Sequence, residues 1–357
     1  MNGSTQTPAW LGYRVPAEWE PHAATWLSWP RREGISFPGS FDRVLPTFRA
    51  LVAALVESER VCINVCNGAH EAEARAVLQD ARHAEATRTR VDLSRVSFYR
   101  IPTNEPWCRD HGPIFLARDA EPKLAVVDWD YNAWGNKYPP FDLDDVVPTR
   151  VAVTLKLPVF YPRMILEGGA IDANGAGALL TTESCLLNPN RNPNLSREQL
   201  EQRLRDFLGV REVLWLARGT EGDDTDGHID NLARFVSERK VVTMVEDDRR
   251  DENYEPLQEN LARLRAMKVD GEKIDILTIP MPKKIMREGM RLPASYANFY
   301  IANTIVLCPT FADPADEIAL SILRECFPDR RVIGIDCREL IWGLGTFHCL
   351  TQQQPAV

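Results

Sequence analysis

No stretch of the chain approaches the run of about eighteen unbroken apolar residues that a membrane-spanning helix needs, so no membrane partner is expected. The first residues, MNGSTQTPAWLGY, have neither the basic start nor the apolar core of a secretion signal, and a cytoplasmic location is expected. Positive charge is in deficit. Against 51 Asp and Glu stand 42 Lys and Arg, and the net −9 speaks against a nucleic-acid partner while suiting neutral or cationic small molecules. No linker or low-complexity tract divides the sequence, so a single domain over residues 1–357 is expected. The eight cysteines (62, 66, 108, 185, 308, 326, 337 and 349) lie mostly inside apolar, strand-like runs, which predicts buried free thiols and no disulfides. Cys62 and Cys66, with His70 four residues on, form one fragment of a zinc spacing. No second pair follows, so RVCINVC reads as a core strand and no metal or other cofactor is expected.

With 44% apolar and 26% charged residues, the chain has the composition of a globular protein with a substantial core. A series of elements recurs along it. EAEARAVLQDARHA (71–84) has helical composition, VSFYRIP (96–102) reads as a strand, and a polar motif and two strand-like runs follow. DDVVPTRVAVTL is a Pro-interrupted helix leading to EGG and a hairpin turning at Asn174-Gly175. SREQLEQRLRDFLG (196–209) opens on a Ser N-cap and stops at Gly209. Helix, strand, loop and hairpin thus repeat about every 50–65 residues. The early run AATWLSWP is expected to pair with the C-terminal one and complete the last unit. The polar motifs would then converge at one end of a ring.

Four motifs carry reactive groups: WCRDHGP (107–113), EGG (167–169), DDTDGHID (223–230) and FHC (347–349). They supply carboxylates at Asp110, Glu167, Asp226 and Asp230, an imidazole at His228 and a thiol at Cys349. Singly, each has an ordinary structural explanation: a turn cap, a loop carboxylate, a packed small side chain. Together they match one substrate class. A guanidinium is planar, permanently charged, and presents a fork of N–H donors that carboxylates bind two at a time. A neutral ester or amide would require donors for an oxyanion, whereas this supply is rich in acceptors. Carboxylates raise the pKa of a nearby thiol, but a bound guanidinium about 3.5–4 Å away reverses that field, so the substrate, together with a protonated His228, would help to generate the thiolate.

These motifs, with PAEWEPHAATWLSWP (16–30), NAWG (132–135), LEGGAIDANGAGALLTTESCLLNPNRNP (166–193), NFYIAN (298–303) and HCLTQQQP (348–355), resemble the agmatine deiminase family, which belongs with the bacterial-type peptidyl-arginine deiminases. The resemblance implies an α/β, pentein-like five-bladed propeller and a homo-oligomer, dimer or larger. It also implies metal-free hydrolysis of a guanidine to a urea and ammonia; with agmatine the product is N-carbamoylputrescine. Carried over by motif, Cys349 attacks the guanidinium carbon and His228 serves as acid and then base. Asp110 and Asp230 grip the nitrogens, Glu167 orients substrate and His228, Trp107 walls the pocket, and Asp226 is counted with the substrate-binding carboxylates. Glycines 343 and 345 are expected to let the final strand bring the thiol to the centre of the ring, and Gln352 to Gln354 to satisfy neighbouring backbone.

The chain departs from the family pattern at Leu344 and Phe347, at His111, at Glu105-Pro106 and at Asn136, where a second glycine is frequent. These departures bear on the substrate tail. The alternatives are deimination of arginine, peptidyl-arginine or another guanidino compound, amidinotransfer, and a non-catalytic polyamine-binding protein. An arginine substrate would want a cation for its carboxylate, for which the loop KKIMREGMR (283–291) holds candidates.

Overall fold

The computed structural model describes residues 6–80 and 91–357. Five sheets share one plan: two antiparallel strands, then a third strand parallel to the second. Four of them comprise Ile114–Ala117, Leu124–Val127 and Val159–Phe160; Asp172–Ala173, Ala178–Thr182 and Glu212–Leu216; Ala233–Ser237, Lys240–Val245 and Asp275–Pro280; and Tyr300–Ile301, Ile305–Thr310 and Arg331–Asp336. The fifth joins the two ends of the chain. His22–Ser28 pairs antiparallel with Thr351–Pro355 and parallel with Arg60–Asn64, to which Val96–Tyr99 is added. The expected pairing of the apolar N- and C-terminal runs is therefore present, with Trp26 opposite Gln352.

In each of these five sheets the parallel crossover runs through a helix, as parallel strands require. The helices are Phe41–Ser58, Val147–Leu155, Arg197–Leu208, Tyr254–Ala266 and Ala315–Cys326. Arg197–Leu208 forms where the sequence predicts it. Ser196 caps the N-terminus in a capping box with Gln199, and Gly209 ends the helix at φ +68°. Its buried residues Leu200, Leu204 and Leu208 are spaced four apart, so one stripe faces the sheet, each leucine contributing about 2 kcal/mol. The helix Gly68–Gln79 covers most of the one expected over 71–84; positions 81–84 lie outside the described residues. Phe41–Ser58 is absent from the sequence reading, and Pro46 inside it breaks the local helical pattern. Among the described residues no helix is long and apolar enough to cross a membrane.

A short helical turn stands immediately before the first strand of each sheet: Cys108–His111, Gly168–Ala170, Ile229–Asn231, Tyr296–Asn298 and Phe347–Leu350. Successive turns touch, and the fifth touches the first. The five turns thus close a ring, the arrangement expected of a five-bladed α/β propeller. Residues separated by 50 or more positions in sequence meet there because they occupy equivalent places in equivalent units.

Candidate functional site

Each turn delivers chemistry to the centre. The first carries Asp110 and follows Trp107; the second follows Glu167 and contains Gly169; the third follows His228 and carries Asp230. The fourth ends in Asn298, and the fifth holds His348 and Cys349. The nucleophile candidate therefore lies on a one-turn helix, and the final strand begins only at Thr351. That corrects the expectation of a thiol carried on the strand itself. At the helix N-terminus the Asn298 carboxamide oxygen accepts from Thr346 Oγ1 at 2.8 Å, the His348 N–H at 3.1 Å and the Cys349 N–H at 3.3 Å, so it serves as the cap.

Cys349 Sγ receives a hydrogen bond from Asn298 Nδ2 at 3.0 Å and lies 3.6 Å from Asp230 Oδ2. Asp110 accepts from the Gly169 N–H and from Trp134 Nε1, both at 3.0 Å, and its Oδ1 is 3.7 Å from His228 Nδ1. Glu167 accepts from Arg191 Nε at 2.6 Å, both side chains being buried. Both His228 nitrogens and Asp230 Oδ1 are buried without a hydrogen-bond partner among the described residues. Such atoms are costly to leave unsatisfied and call for a ligand or water.

Close approach explains the glycines. A methyl group on Gly169 would fall 2.6 Å from Asp110 Oδ1, 2.6 Å from His228 Nδ1 and 3.0 Å from Asp230 Oδ2. On Gly345 it would meet Trp107 Cζ3 at 2.7 Å and Cys349 Sγ at 3.1 Å. Trp134, in the NAWG motif, is held at φ +56° and Asn136 at φ +65°, a left-handed conformation that Asn tolerates.

Burial sets the protonation states. It lifts the Asp110 carboxyl to about 7, with the Glu167 charge adding to the effect. Asp230 is pushed well above the carboxylate range by burial and then by Asp110. Cys349 is driven far above the usual thiol value by burial, Asp230 and Asp110, so the sulfur is a thiol at neutral pH. His228 is pushed well below the usual imidazole value by burial and by the Arg191 charge. It is therefore neutral at pH 7, which corrects the expectation of a protonated His228 beside the thiol.

The pocket above the sulfur is walled by Trp107, Trp134, Tyr138, Trp342 and Leu344, and its lining also includes Glu105, Asp110, Asp224, Met290 and Cys349. Like the buried Glu167, His228 and Asp230, Asp226 stands outside this lining. It accepts from Lys137 Nζ at 2.8 Å and from Arg191 Nη1 at 2.7 Å, so its position is that of a brace for Arg191. The Arg191 brace, the Trp134 donor and Asn298 are absent from the sequence reading of the site, although all three lie in motifs that carry the resemblance. Gln353 and Gln354 accept from Arg109 and Trp26 side chains, at 2.8 and 2.9 Å, where backbone partners were expected. Among the departures, Leu344 (φ +70°) and Glu105 line the pocket, while Phe347 is core and His111 faces the Glu105 carbonyl.

Glu167, Cys185 and His228 each place one atom within 4.8 Å of the others, but Arg191 already holds Glu167, so a cation beside that guanidinium would be repelled. Cys62 lies buried on its strand, and the Cys66 thiol points to the Thr103 carbonyl at 3.7 Å. All eight cysteines are free; six are buried and Cys66 and Cys326 half-buried.

The profile of the Porphyromonas-type peptidyl-arginine deiminases matches residues 14–355. The agmatine deiminase of Medicago truncatula is 37% identical, with 98% of each chain covered. The solved agmatine deiminase of Enterococcus faecalis superposes with a TM-score of 0.86 at 31% identity, covering 99% of this chain and 98% of that one. A protein of Porphyromonas gingivalis described as a putative arginine deiminase gives 0.84 at 36% identity, over 96% and 98%. With a profile spanning nearly its whole length and a relative this close, the chain belongs to the Porphyromonas-type peptidyl-arginine deiminase family.

Proposed function

We propose that the protein hydrolyses agmatine to N-carbamoylputrescine and ammonia through a covalent adduct on Cys349. The observation that carries the substrate class is the pocket lining: a thiol at the base, acids at Asp110, Glu105 and Asp224, aromatic walls, and no Lys or Arg among the described lining residues. A guanidinium seated between Asp110 and the free Oδ1 of Asp230 meets carboxylates, and Trp107 offers an indole face for the cation.

The cation lowers the thiol pKa, and the thiol proton passes to neutral His228. The thiolate forms a C–S bond to the guanidinium carbon. His228 returns that proton to an amino nitrogen, the C–N bond breaks, and ammonia leaves a thiouronium on Cys349. Water then gives up one proton to His228 and forms the C–O bond; cleavage of C–S moves the remaining hydroxyl proton to the sulfur, releasing the urea and restoring the thiol, and His228 returns its proton to solvent, where ammonia takes it up as ammonium. Glu167, fixed by Arg191, holds the substrate and His228 in register.

The tail assignment follows from charge. Arginine would bring a carboxylate against Glu105 and Asp224. Of the four cations in the 283–291 loop, Lys284 pairs with Glu252, Arg287 with Ser40 and Glu339 while stacking on the Trp342 ring, and Arg291 with Asp251 and Glu252; none of these, nor Lys283, is part of the lining. Only Met290 of that loop reaches the lining. A cationic aliphatic tail suits what remains. A cytoplasmic homo-oligomer completes the proposal, checked by light scattering after size exclusion.

The test is ammonia release across agmatine, arginine, arginyl peptides and guanidino acids. Agmatine should lead by a wide margin, and Cys349→Ala should bind it without turnover. Preference for a carboxylate-bearing member overturns the tail assignment, and unchanged turnover in the alanine variant overturns the mechanism.

A further inference from the structure

The second histidine of the centre, His348, takes no part in the scheme above, yet its surroundings restrict where protons can be. Its Nδ1 lies 2.7 Å from Asp230 Oδ2 and its Nε2 lies 2.9 Å from Glu18 Oε2, all three side chains being buried. A neutral imidazole has one N–H and one lone pair. With both carboxylates ionised, a neutral ring would press its lone pair against an anionic oxygen at hydrogen-bond distance. One additional proton must therefore reside in the Glu18–His348–Asp230 chain.

Glu18 is not its carrier. Arg109 Nη2 donates to Glu18 Oε2 at 3.0 Å, Arg234 Nη2 stands 3.0 Å from Oε1, and the Ile301 N–H donates to Oε1 at 2.8 Å. Two guanidinium groups and an amide hold that carboxylate ionised; although burial opposes it, the Arg234 and Arg109 charges and the hydrogen bond from His348 take Glu18 well below its usual range. Asp172, on the far side of Arg234 at 2.8 Å, balances the second cation. Among the described residues Asp230 has no Lys or Arg in contact. It faces Asp110 and the Cys349 thiol, and its Oδ1 is unpartnered. With the pocket empty the proton therefore belongs on Asp230, donated to His348 Nδ1, while His348 Nε2–H is donated to Glu18. His348 itself is held neutral by burial and by the Arg109 and Arg234 charges.

We infer that His348 is a proton store for Asp230: when a guanidinium arrives at Asp230 Oδ1, the Asp230 proton crosses the 2.7 Å hydrogen bond to His348 Nδ1, leaving an ionised carboxylate for the substrate and an imidazolium between Asp230 and Glu18. One O–H bond breaks, one N–H bond forms, and nothing is released to solvent. His348 is thus a positioning residue, acting through Asp230. The step rests on the guanidine reading of the pocket.

The test uses full-length protein carrying Cys349→Ser, which blocks turnover, with agmatine as probe. In 15N spectra of the histidine rings, His348 should show one protonated and one lone-pair nitrogen when empty, and two protonated nitrogens at saturation. A ring that stays neutral at saturation, or is an imidazolium in both states, overturns the inference. Calorimetry in buffers of different ionisation enthalpy supplies a second measurement. Adding His348→Gln should release about one more proton per bound agmatine near neutral pH, and raise KM more than it lowers kcat when Cys349 is intact. Equal proton counts overturn it. Should the glutamine variant fail to fold, the ring spectra decide alone. If agmatine gives no binding heat, the substrate reading fails, and guanidinium chloride at millimolar concentration presents the same planar cation to Asp230; a neutral His348 at its saturation, or no binding, overturns the proton store as well.

Discussion

Gly169→Ala tests whether the centre of the ring depends on close approach of three loops. The glycine does not need a left-handed conformation, so alanine adds only a methyl group. That group would lie 2.6 Å from Asp110 Oδ1 and from His228 Nδ1, and 3.0 Å from Asp230 Oδ2. Ordinary contact needs about 3.4 Å or more, so the two nearest groups must each retreat by about 0.8 Å. They come from two other turns of a closed ring and cannot both move freely. Overpacking of this kind costs about 1–3 kcal/mol, which lowers the thermal midpoint by a few degrees. The effect on rate should be larger, because a displacement near 1 Å costs about a hundredfold. Ammonia release from agmatine gives kcat/KM, circular dichroism confirms folding, and a thermal scan gives the stability loss. The expected result is a folded enzyme with kcat/KM down at least about a hundredfold. Activity within about threefold of the parent would refute the reasoning, since the acids and His228 would then tolerate repositioning.

Three other perturbations follow from the same geometry. The Asp110 carboxyl sits at about 7 in the fold against about 3.9 unfolded, so its buried neutral form favours the fold at low pH. That contribution is complete below about pH 4 and is lost as pH rises through 7, up to about 4 kcal/mol; urea unfolding of ligand-free protein at pH 5 and 8 should show a steeper loss in the parent than in Asp110→Asn, and parallel curves would contradict it. Arg191→Met strips the partner from buried Glu167 and should destabilise by about 3–5 kcal/mol, with partial recovery on adding Glu167→Gln; equal stability of the single and double variants would count against the pair. Asn298→Ala removes the donor to Cys349 Sγ at 3.0 Å. A hydrogen bond to a charged sulfur contributes about 1.5–3 kcal/mol, so kcat should fall about ten- to a hundredfold and thiol alkylation should require higher pH; an unshifted alkylation profile would refute that role.

The sequence alone carried the repeating unit, because its signals are local. A Ser N-cap, a terminal Gly209 and leucines four apart specify the helix Arg197–Leu208, and Asn174-Gly175 marks the hairpin before Ala178–Thr182. It also carried the residue types of the site, since a thiol, an imidazole and several acids at equivalent places in a repeat point to one centre. Only the tertiary structure decided which of those groups face the pocket. Asp226 turns to Lys137 and Arg191, while Asn298, more than 50 positions from Cys349, supplies both its cap and its sulfur contact. Protonation states belong to the same class of fact. Asp110 at about 7 and a thiol at Cys349 arise from burial and opposed charges, which exist only once the ring of turns has closed.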